Sequence, residues 1–249
     1  MGKSGIPKII HYCWFGRGEK SELANRCIES WKKNLDGYKI MEWNEDNFDI
    51  SANLYIKEAY DKGKYAFVSD YVRLDILFKY GGIYLDTDVE ILSDFNALLD
   101  SNAFLGFEDD ELISTATIGA RKNNIIIKNW LDTYNNRRFI KNGRESELTN
   151  VRVVTDILLN HGLKQDNRIQ NLLNDEITIY SNDFFSPLKI GSSNPKVTHN
   201  TIAIHWFEGT WLTPQKKVKI KLISSIKSII GFKRYNKIKD IIKSRIDNE

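Results

Sequence analysis

Apolar positions along the chain recur at two spacings. Ile6 to Phe15 is a nearly unbroken apolar run that stops at Gly16, which predicts a buried strand. Leu23, Cys27, Trp31 and Leu35 then recur every four residues, so Ser21 to Asn34 is predicted to be a helix packed on that strand. Tyr38 to Trp43 reads as a second strand. Strand and helix in alternation this early favour a parallel α/β sheet. Ala52 to Lys62 reads as a short helix. Ala66 to Tyr80 reads as a stronger one, with Phe67, Tyr71, Leu74 and Phe78 on one face. Gly81 and Gly82 end it, because glycine takes the left-handed conformation a helix stop requires.

Ile83 to Asp86 and Val89 to Leu92 are the next predicted strands. Ala103 to Phe107 and Leu112 to Gly119 follow, around an acidic turn at Glu108-Asp109-Asp110. Asn124 to Phe139 reads as a helix and Lys141 to Glu147 as a polar loop. Thr149 is placed to cap a helix that ends at Gly162. Ile177 to Tyr180 and Ile202 to Phe207 are the last predicted strands. No internal repeat or low-complexity segment interrupts the pattern.

Composition adds bounds. A chain of 249 residues with 41% hydrophobic and 12% aromatic residues can bury a sizeable core. No apolar run approaches the ~18 residues of a membrane-spanning helix, and no apolar leader is read at the N-terminus. Cys13 and Cys27 sit in apolar surroundings and fit reduced, buried thiols of a cytoplasmic protein better than a disulfide framework. The net charge of +3 conceals an asymmetry. Residues 214–249 carry 11 Lys/Arg against 3 Asp/Glu, leaving 25 against 30 in the remainder. An acidic body with a basic tail implies that the tail meets something anionic. The acidic body argues against a broad nucleic-acid footprint.

The chemistry concentrates in one window of 20 residues, Ser69 to Asp88. It holds Asp70 and Arg73, the glycine pair, then Ile83-Tyr84-Leu85-Asp86-Thr87-Asp88. From Arg73 to Gly81 a helix advances about 12 Å at ~1.5 Å per residue. From Gly82 to Asp86 a strand advances about 13 Å at ~3.3 Å per residue. If the glycine pair reverses the chain, Asp86 returns level with Asp70 and Arg73. Asp70 and Arg73 share a helix face; Asp86 and Asp88 are expected to share a strand face. Four charged groups then surround one point. Paired carboxylates at a sheet mouth suit a divalent cation that shares its oxygen ligands with substrate phosphates. Alone, an Asp-x-Asp usually decorates a turn, and an Asp and Arg three apart form a surface ion pair worth little. Their conjunction is what points to function.

At these residues the chain resembles glycosyltransferase family 32, which includes DXD-motif sugar transferases, capsular polysaccharide synthesis proteins and relatives of the catalytic domains of large glucosylating toxins. The family signature, Ser/Ala-Asp-x-x-Arg followed by Gly-Gly-x-Tyr-x-Asp-x-Asp, is matched from Ser69 to Asp88. Ile6 to Gly16 is similar to the family's opening strand. His205-Trp206-Phe207-Glu208-Gly209-Thr210-Trp211 is similar to its His-x4-Ser-Trp ending, with Thr210 keeping the hydroxyl of the usual Ser.

The resemblance implies an α/β fold of GT-A type, with a mixed, mostly parallel central sheet flanked by helices. It implies a catalytic domain over 1–213, to which residues 214–249 add a C-terminal helical tail. It also implies Mn²⁺ or Mg²⁺, a nucleotide-sugar donor with a UDP-sugar favoured over a GDP-sugar, and transfer with retention to a glycan or lipid-linked glycan. On that basis Asp70, Arg73, Asp86 and Asp88 are the expected catalytic residues. Trp14, Tyr12, Asp70, Arg73, Asp86, Thr210 and Trp211 are the expected donor contacts, with Trp14 stacked on the base. Asp88, His205 and Asp86 are the expected metal ligands, with Glu208 as the alternative to His205. Asp156 is a weak candidate for acceptor contact, against an ordinary exposed helix carboxylate.

In the tail, Val218, Leu222, Ile226 and Ile229/Ile230 line one helix face and Ile238, Ile241, Ile242 and Ile246 another, with lysines opposite. Such helices can lie on an anionic membrane surface, which would place the protein on the inner face of the plasma membrane. Packing on the domain or an oligomer contact is the competing reading. A transferase with a protein acceptor and a non-catalytic nucleotide-sugar-binding protein are the alternatives to the main function.

Overall fold

The computed structural model describes residues 5–146, 148–190 and 192–209. The chain divides into two compact units, Met1–Pro187 with Lys196–Glu208, and Leu188–Pro195 with Gly209–Glu249. In the second, a turn closes from the Ser192 amide to the Lys189 carbonyl. The basic tail, and with it the expected boundary between residues 213 and 214, lies outside the described residues.

The elements run β1 (Ile9–Cys13), α1 (Glu22–Asn34), β2 (Lys39–Trp43), α2 (Leu54–Asp61), α3 (Tyr65–Tyr80), β3 (Gly82–Leu85), β4 (Val89–Ile91), β5 (Ala103–Gly106), β6 (Thr117–Ala120), α4 (Ile125–Asp132), β7 (Ile140–Lys141), β8 (Arg144–Glu145), α5 (Asn150–Leu159), β9 (Gln170–Leu172), β10 (Ile177–Tyr180) and β11 (Ala203–His205). The central sheet has seven strands in the order β2-β1-β3-β6-β5-β10-β9. Parallel pairing at β2-β1-β3 and β5-β10, with antiparallel β6 and β9, leaves five of the seven strands pointing one way. The expected mixed, mostly parallel α/β sheet is therefore present. A separate two-stranded sheet pairs β4 with β11.

Side chains alternate across the sheet and feed two cores. Tyr84 and Cys13 face the layer that holds α3, whereas Ile83, Leu85, Ile10 and Tyr12 face the layer that holds α1 and Trp31. Helix α1 starts where the Ser21 hydroxyl accepts from the Ala24 amide and buries Ala24, Cys27, Ile28 and Trp31. Helix α3 differs from its sequence reading. It buries six successive residues from Val72 to Leu77, while Phe67, Tyr71 and Phe78 are only half-buried. Its environment is packed on several sides, so a one-sided stripe was the wrong guide. Each of its buried aliphatic side chains contributes roughly 1.5–3 kcal/mol.

The glycine pair turns α3 into β3. Gly81 has φ +68° and donates to the Leu77 carbonyl. A Cβ on Gly82, at φ +112°, would sit 2.6 Å from the Ile9 carbonyl oxygen, so β3 can lie against β1 only with glycine there. Elsewhere the predicted helix 124–139 stops at Asp132, the polar loop folds as the β7-β8 hairpin, and β9 was not foreseen. No helix among the described residues is long and apolar enough to cross a membrane.

Candidate active site

Arg73 lies at the centre of the site. It is 4% exposed, and its guanidinium stacks 4.6 Å from the centre of the Tyr84 ring. Nη2 reaches Asp70 at 3.1 Å and Asp86 at 3.3 Å. Nη1 donates to the Thr115 carbonyl at 2.6 Å, and Nε to the Ser69 carbonyl at 3.2 Å. The expected meeting of helix and strand termini thus occurs: Asp86 returns level with Asp70, and one guanidinium bridges them. The Tyr84 hydroxyl donates at 2.8 Å to the same Asp86 oxygen, Oδ1, that Arg73 Nη2 approaches. Burial pushes the Asp70 carboxyl up to about 6, against the pull of Arg73.

Asp86 and Asp88 converge by a different route from the one expected. They sit on a turn, not on one strand face, and the turn closes where the Val89 amide donates to the Asp86 carbonyl at 3.0 Å. Pairing of β4 with β11 sets His205 opposite Val89. The Trp206 amide donates to the Asp88 carbonyl, and the Glu208 amide to the Asp88 carboxylate at 2.8 Å. One ligand atom each from Asp86, Asp88 and His205 lies within 4.8 Å of the others. His205 Nε2 is 3.5 Å from Asp88, its Nδ1 is buried without a hydrogen-bond partner, and its ring lies 4.0 Å from that of Phe207. Burial lowers His205, yet the Asp88 charge outweighs it and pushes the imidazole up to about 8. Burial alone would raise Asp88, but His205 and the Glu208 amide hold it below the ordinary carboxylate range. Two carboxylates and one imidazole, with an imidazole nitrogen left unsatisfied, fit a divalent cation that accepts oxygen and nitrogen ligands. Glu208 contributes its backbone amide to Asp88.

Trp14 stands one residue beyond β1, at the edge where β3 delivers Asp86, because the two strands are parallel and in register. Its indole N–H donates to the Gly18 carbonyl at 2.7 Å, and Lys20 lies 5.5 Å from the ring centre. Tyr12 is placed elsewhere than expected. Alternation along β1 turns it into the α1 layer, where its ring packs on Trp31 at 5.4 Å and its hydroxyl donates to Glu42. Tyr12 is 7% exposed there. Asp156 is exposed on α5 and pairs with Arg152, as its ordinary reading held. Thr210 and Trp211 lie outside the described residues.

Glu108 is the residue the sequence reading missed. It follows β5, which runs in the direction of β3, so both strands deliver carboxylates to one edge. Burial pushes it up to about 7; His205 opposes this, while Asp109, Asp86 and Asp88 add to it. Its position just past a buried strand was a usable signal, hidden by the acidic run Glu108-Asp109-Asp110.

Comparison with known proteins follows this geometry. Over 126 residues the chain is 30% identical to inositol phosphoceramide mannosyltransferase 3 of Schizosaccharomyces pombe, across 48% of this chain and 34% of that protein. The chain therefore spans about a third of the length of that curated relative. PaToxG glycosyltransferase superposes with a TM-score of 0.51 at 22% identity, over 63% of this chain and 70% of that one. A glycosyltransferase involved in the glycosylation of the major capsid of PBCV-1 superposes with a TM-score of 0.46 at 10% identity, over 86% and 98%. The fold is of the GT-A glycosyltransferase type. Residues 21–105, which carry the Asp70/Arg73 helix, the glycine pair and the DXD turn, match the family described as a glycosyltransferase sugar-binding region containing the DXD motif.

Proposed function

We propose that the protein transfers a sugar from a nucleoside-diphosphate donor to a hydroxyl of a glycan or lipid-linked glycan, with retention of configuration. The observation that carries this reading is the convergence of Asp86, Asp88 and His205 within 4.8 Å, beside the Asp70–Arg73 pair. These three side chains would hold Mn²⁺ or Mg²⁺, which when bound supplies positive charge for the departing diphosphate. Asp70 and Arg73 hold sugar hydroxyls and fix the donor in a reactive pose. Trp14 stacks on the base, an interaction worth about 1–3 kcal/mol. The bond from the anomeric carbon to the diphosphate breaks as the bond to the acceptor oxygen forms on the same face. The acceptor proton passes to the departing phosphate, so no dedicated base is required.

A uridine base is our reading of the donor from the resemblance at Trp14. The S. pombe relative is by name a mannosyltransferase of a phosphoceramide, which supports a lipid-linked acceptor and adds a mannosyl donor to the test. The basic tail would hold the protein on an anionic cytoplasmic membrane face, near such an acceptor. A role in surface polysaccharide synthesis follows from the same reading.

The test is a thermal-shift and hydrolysis screen of UDP-glucose, UDP-N-acetylglucosamine and GDP-mannose with and without Mn²⁺. Donor turnover that needs the metal and is abolished in Asp88→Asn is expected. Full activity in excess chelator, or in the variant, would overturn the proposal. For the tail, deletion from about residue 216 is expected to abolish sedimentation with anionic liposomes; unchanged binding would refute membrane docking.

A further inference from the structure

In the middle of the chain, which carries no recognised motif, the Asn150 amide reaches Asp70. Asn150 opens α5 and is 2% exposed. Its Oδ1 accepts from Trp130 Nε1 at 2.8 Å and from the Tyr134 hydroxyl at 3.2 Å. An indole N–H can only donate, so the oxygen of Asn150 must face Trp130 and the nitrogen must face away. That nitrogen donates to the Asp70 carbonyl at 3.1 Å. The same amide favours the ionised Asp70 carboxylate, as does Arg137. Arg137 stacks 4.9 Å from the Tyr55 and Tyr134 ring centres. Asp70 is thus held by Arg73 on its own helix and by groups from α5 and the loop after α4.

We propose that Asn150 is a positioning residue for Asp70. Its amide, turned by Trp130 and Tyr134, holds the Asp70 backbone and carboxylate in the arrangement that meets Arg73 and the donor sugar. The inference rests on the glycosyltransferase reading above. A hydrophobic or reversed group at position 150 leaves the metal-binding side chains in place but lets Asp70 drift. Misplacement on the scale of 1 Å costs about 100-fold in rate.

The test compares wild type, Asn150→Ala, Asn150→Asp, Asp70→Ala and Asp70→Ala/Asn150→Ala in Mn²⁺-dependent turnover of UDP-glucose and GDP-mannose. Asn150→Asp keeps both bonds to Trp130 and Tyr134 but turns an oxygen toward Asp70. The new oxygen faces the Asp70 carbonyl in a buried site and costs stability in either role, so the positioning role is read from kcat against KM and from the Asp70→Ala background. Asn150→Ala and Asn150→Asp are each expected to lower kcat by roughly 10- to 100-fold with donor KM changed by less than about threefold. In the Asp70→Ala background, loss of Asn150 is expected to change kcat by less than about threefold, since residues acting as one unit are non-additive. Full additivity, or near-normal kcat in Asn150→Asp, would overturn the proposal.

Should Asn150→Ala not fold, Trp130→Phe/Tyr134→Phe frees the amide to flip and is expected to show the same non-additivity with Asp70→Ala. Wild type that turns over neither donor refutes the enzymatic reading instead. Urea midpoints of Asn150→Asp, with and without Asp70→Ala, then decide whether the amide acts on the Asp70 carboxylate, because the backbone carbonyl that it bonds remains in Asp70→Ala. A destabilisation of the same size in both backgrounds shows that Asn150 does not act on the Asp70 carboxylate.

Discussion

Replacing Arg73 with Met removes the guanidinium that bridges two partly buried acids, Asp70 and Asp86. The guanidinium is 4% exposed and makes ion pairs to Asp70 and Asp86 at 3.1 and 3.3 Å, with further bonds to the Thr115 and Ser69 carbonyls. Met keeps the apolar stem but ends short of the guanidinium, so the variant also loses the stack on Tyr84, and the electrostatic loss adds to that. Breaking a buried pair by removing one partner costs about 3–5 kcal/mol, because the remaining charge stays uncompensated. Here two carboxylates are left, and the Thr115 carbonyl loses its donor, so the upper half of that range is expected. For a domain of this size 1 kcal/mol shifts Tm by about 2–4 °C, giving a fall of roughly 8–20 °C. Urea unfolding at pH 7 without divalent cation measures it directly, since the midpoint moves while the slope is unchanged. Adding Asp70→Asn to the variant removes one of the stranded charges and should restore about 1–2 kcal/mol. A loss below about 1 kcal/mol in Arg73→Met, or a full additive penalty in the double variant, would refute the account of Arg73 as the bridge.

Three further outcomes follow from the geometry. Asp88→Asn should abolish the Mn²⁺-dependent rise in apparent Tm while leaving the cation-free Tm within a few degrees, read by tryptophan fluorescence; an undiminished metal shift places the cation elsewhere. His11 Nε2–H donates to the Gly81 carbonyl at 2.8 Å while Nδ1 accepts from Trp43, and burial lowers its pKa to about 4 from the ordinary 6.5; the Gly81 bond opposes this and Lys39 adds to it. The unfolded chain therefore binds a proton that the folded chain refuses. The His11 contribution is complete above about pH 6.5 and shrinks by about 3 kcal/mol as pH falls toward 4. Stability of wild type minus that of His11→Gln, measured across that window, should show this fall, and parallel curves would refute it. Gly82→Ala should cost about 2–3 kcal/mol in urea unfolding, because its Cβ would stand 2.6 Å from the Ile9 carbonyl at φ +112°; a neutral outcome means that β1 and β3 can separate without loss.

The route from helix to site was legible because its determinants are local. Helix rise, a glycine pair and strand rise carry Asp86 back to Arg73 whatever surrounds them. The Asp86–Asp88 geometry was not, since Asp88 is held by the amides of Trp206 and Glu208, far along the chain. Which side of β1 holds Tyr12 was equally hidden: both faces of a central strand are apolar, and only the partner layer, here Trp31, distinguishes them. Glu108 reads as one of three acids in a turn until β5 is known to run with β3. Strand β9 has no hydrophobic signature of its own, with Gln170 and Asn171 paired to β10 through the backbone. The helix predicted to Phe139 gives way after Asp132 to tighter turns, in which the Thr133, Tyr134 and Asn135 amides donate three residues back to Trp130, Leu131 and Asp132.

The β4-β11 pair has a consequence for how the protein matures. Asp88 and the amide that fastens it are 120 residues apart in sequence. A nascent polypeptide released before Ala203 carries both acids of the turn but neither the imidazole nor the strand that braces them. If these side chains hold the proposed cation, competence to capture it is gained late in synthesis, after most of the sheet can already have formed, and a C-terminally clipped product is expected to be folded yet metal-blind.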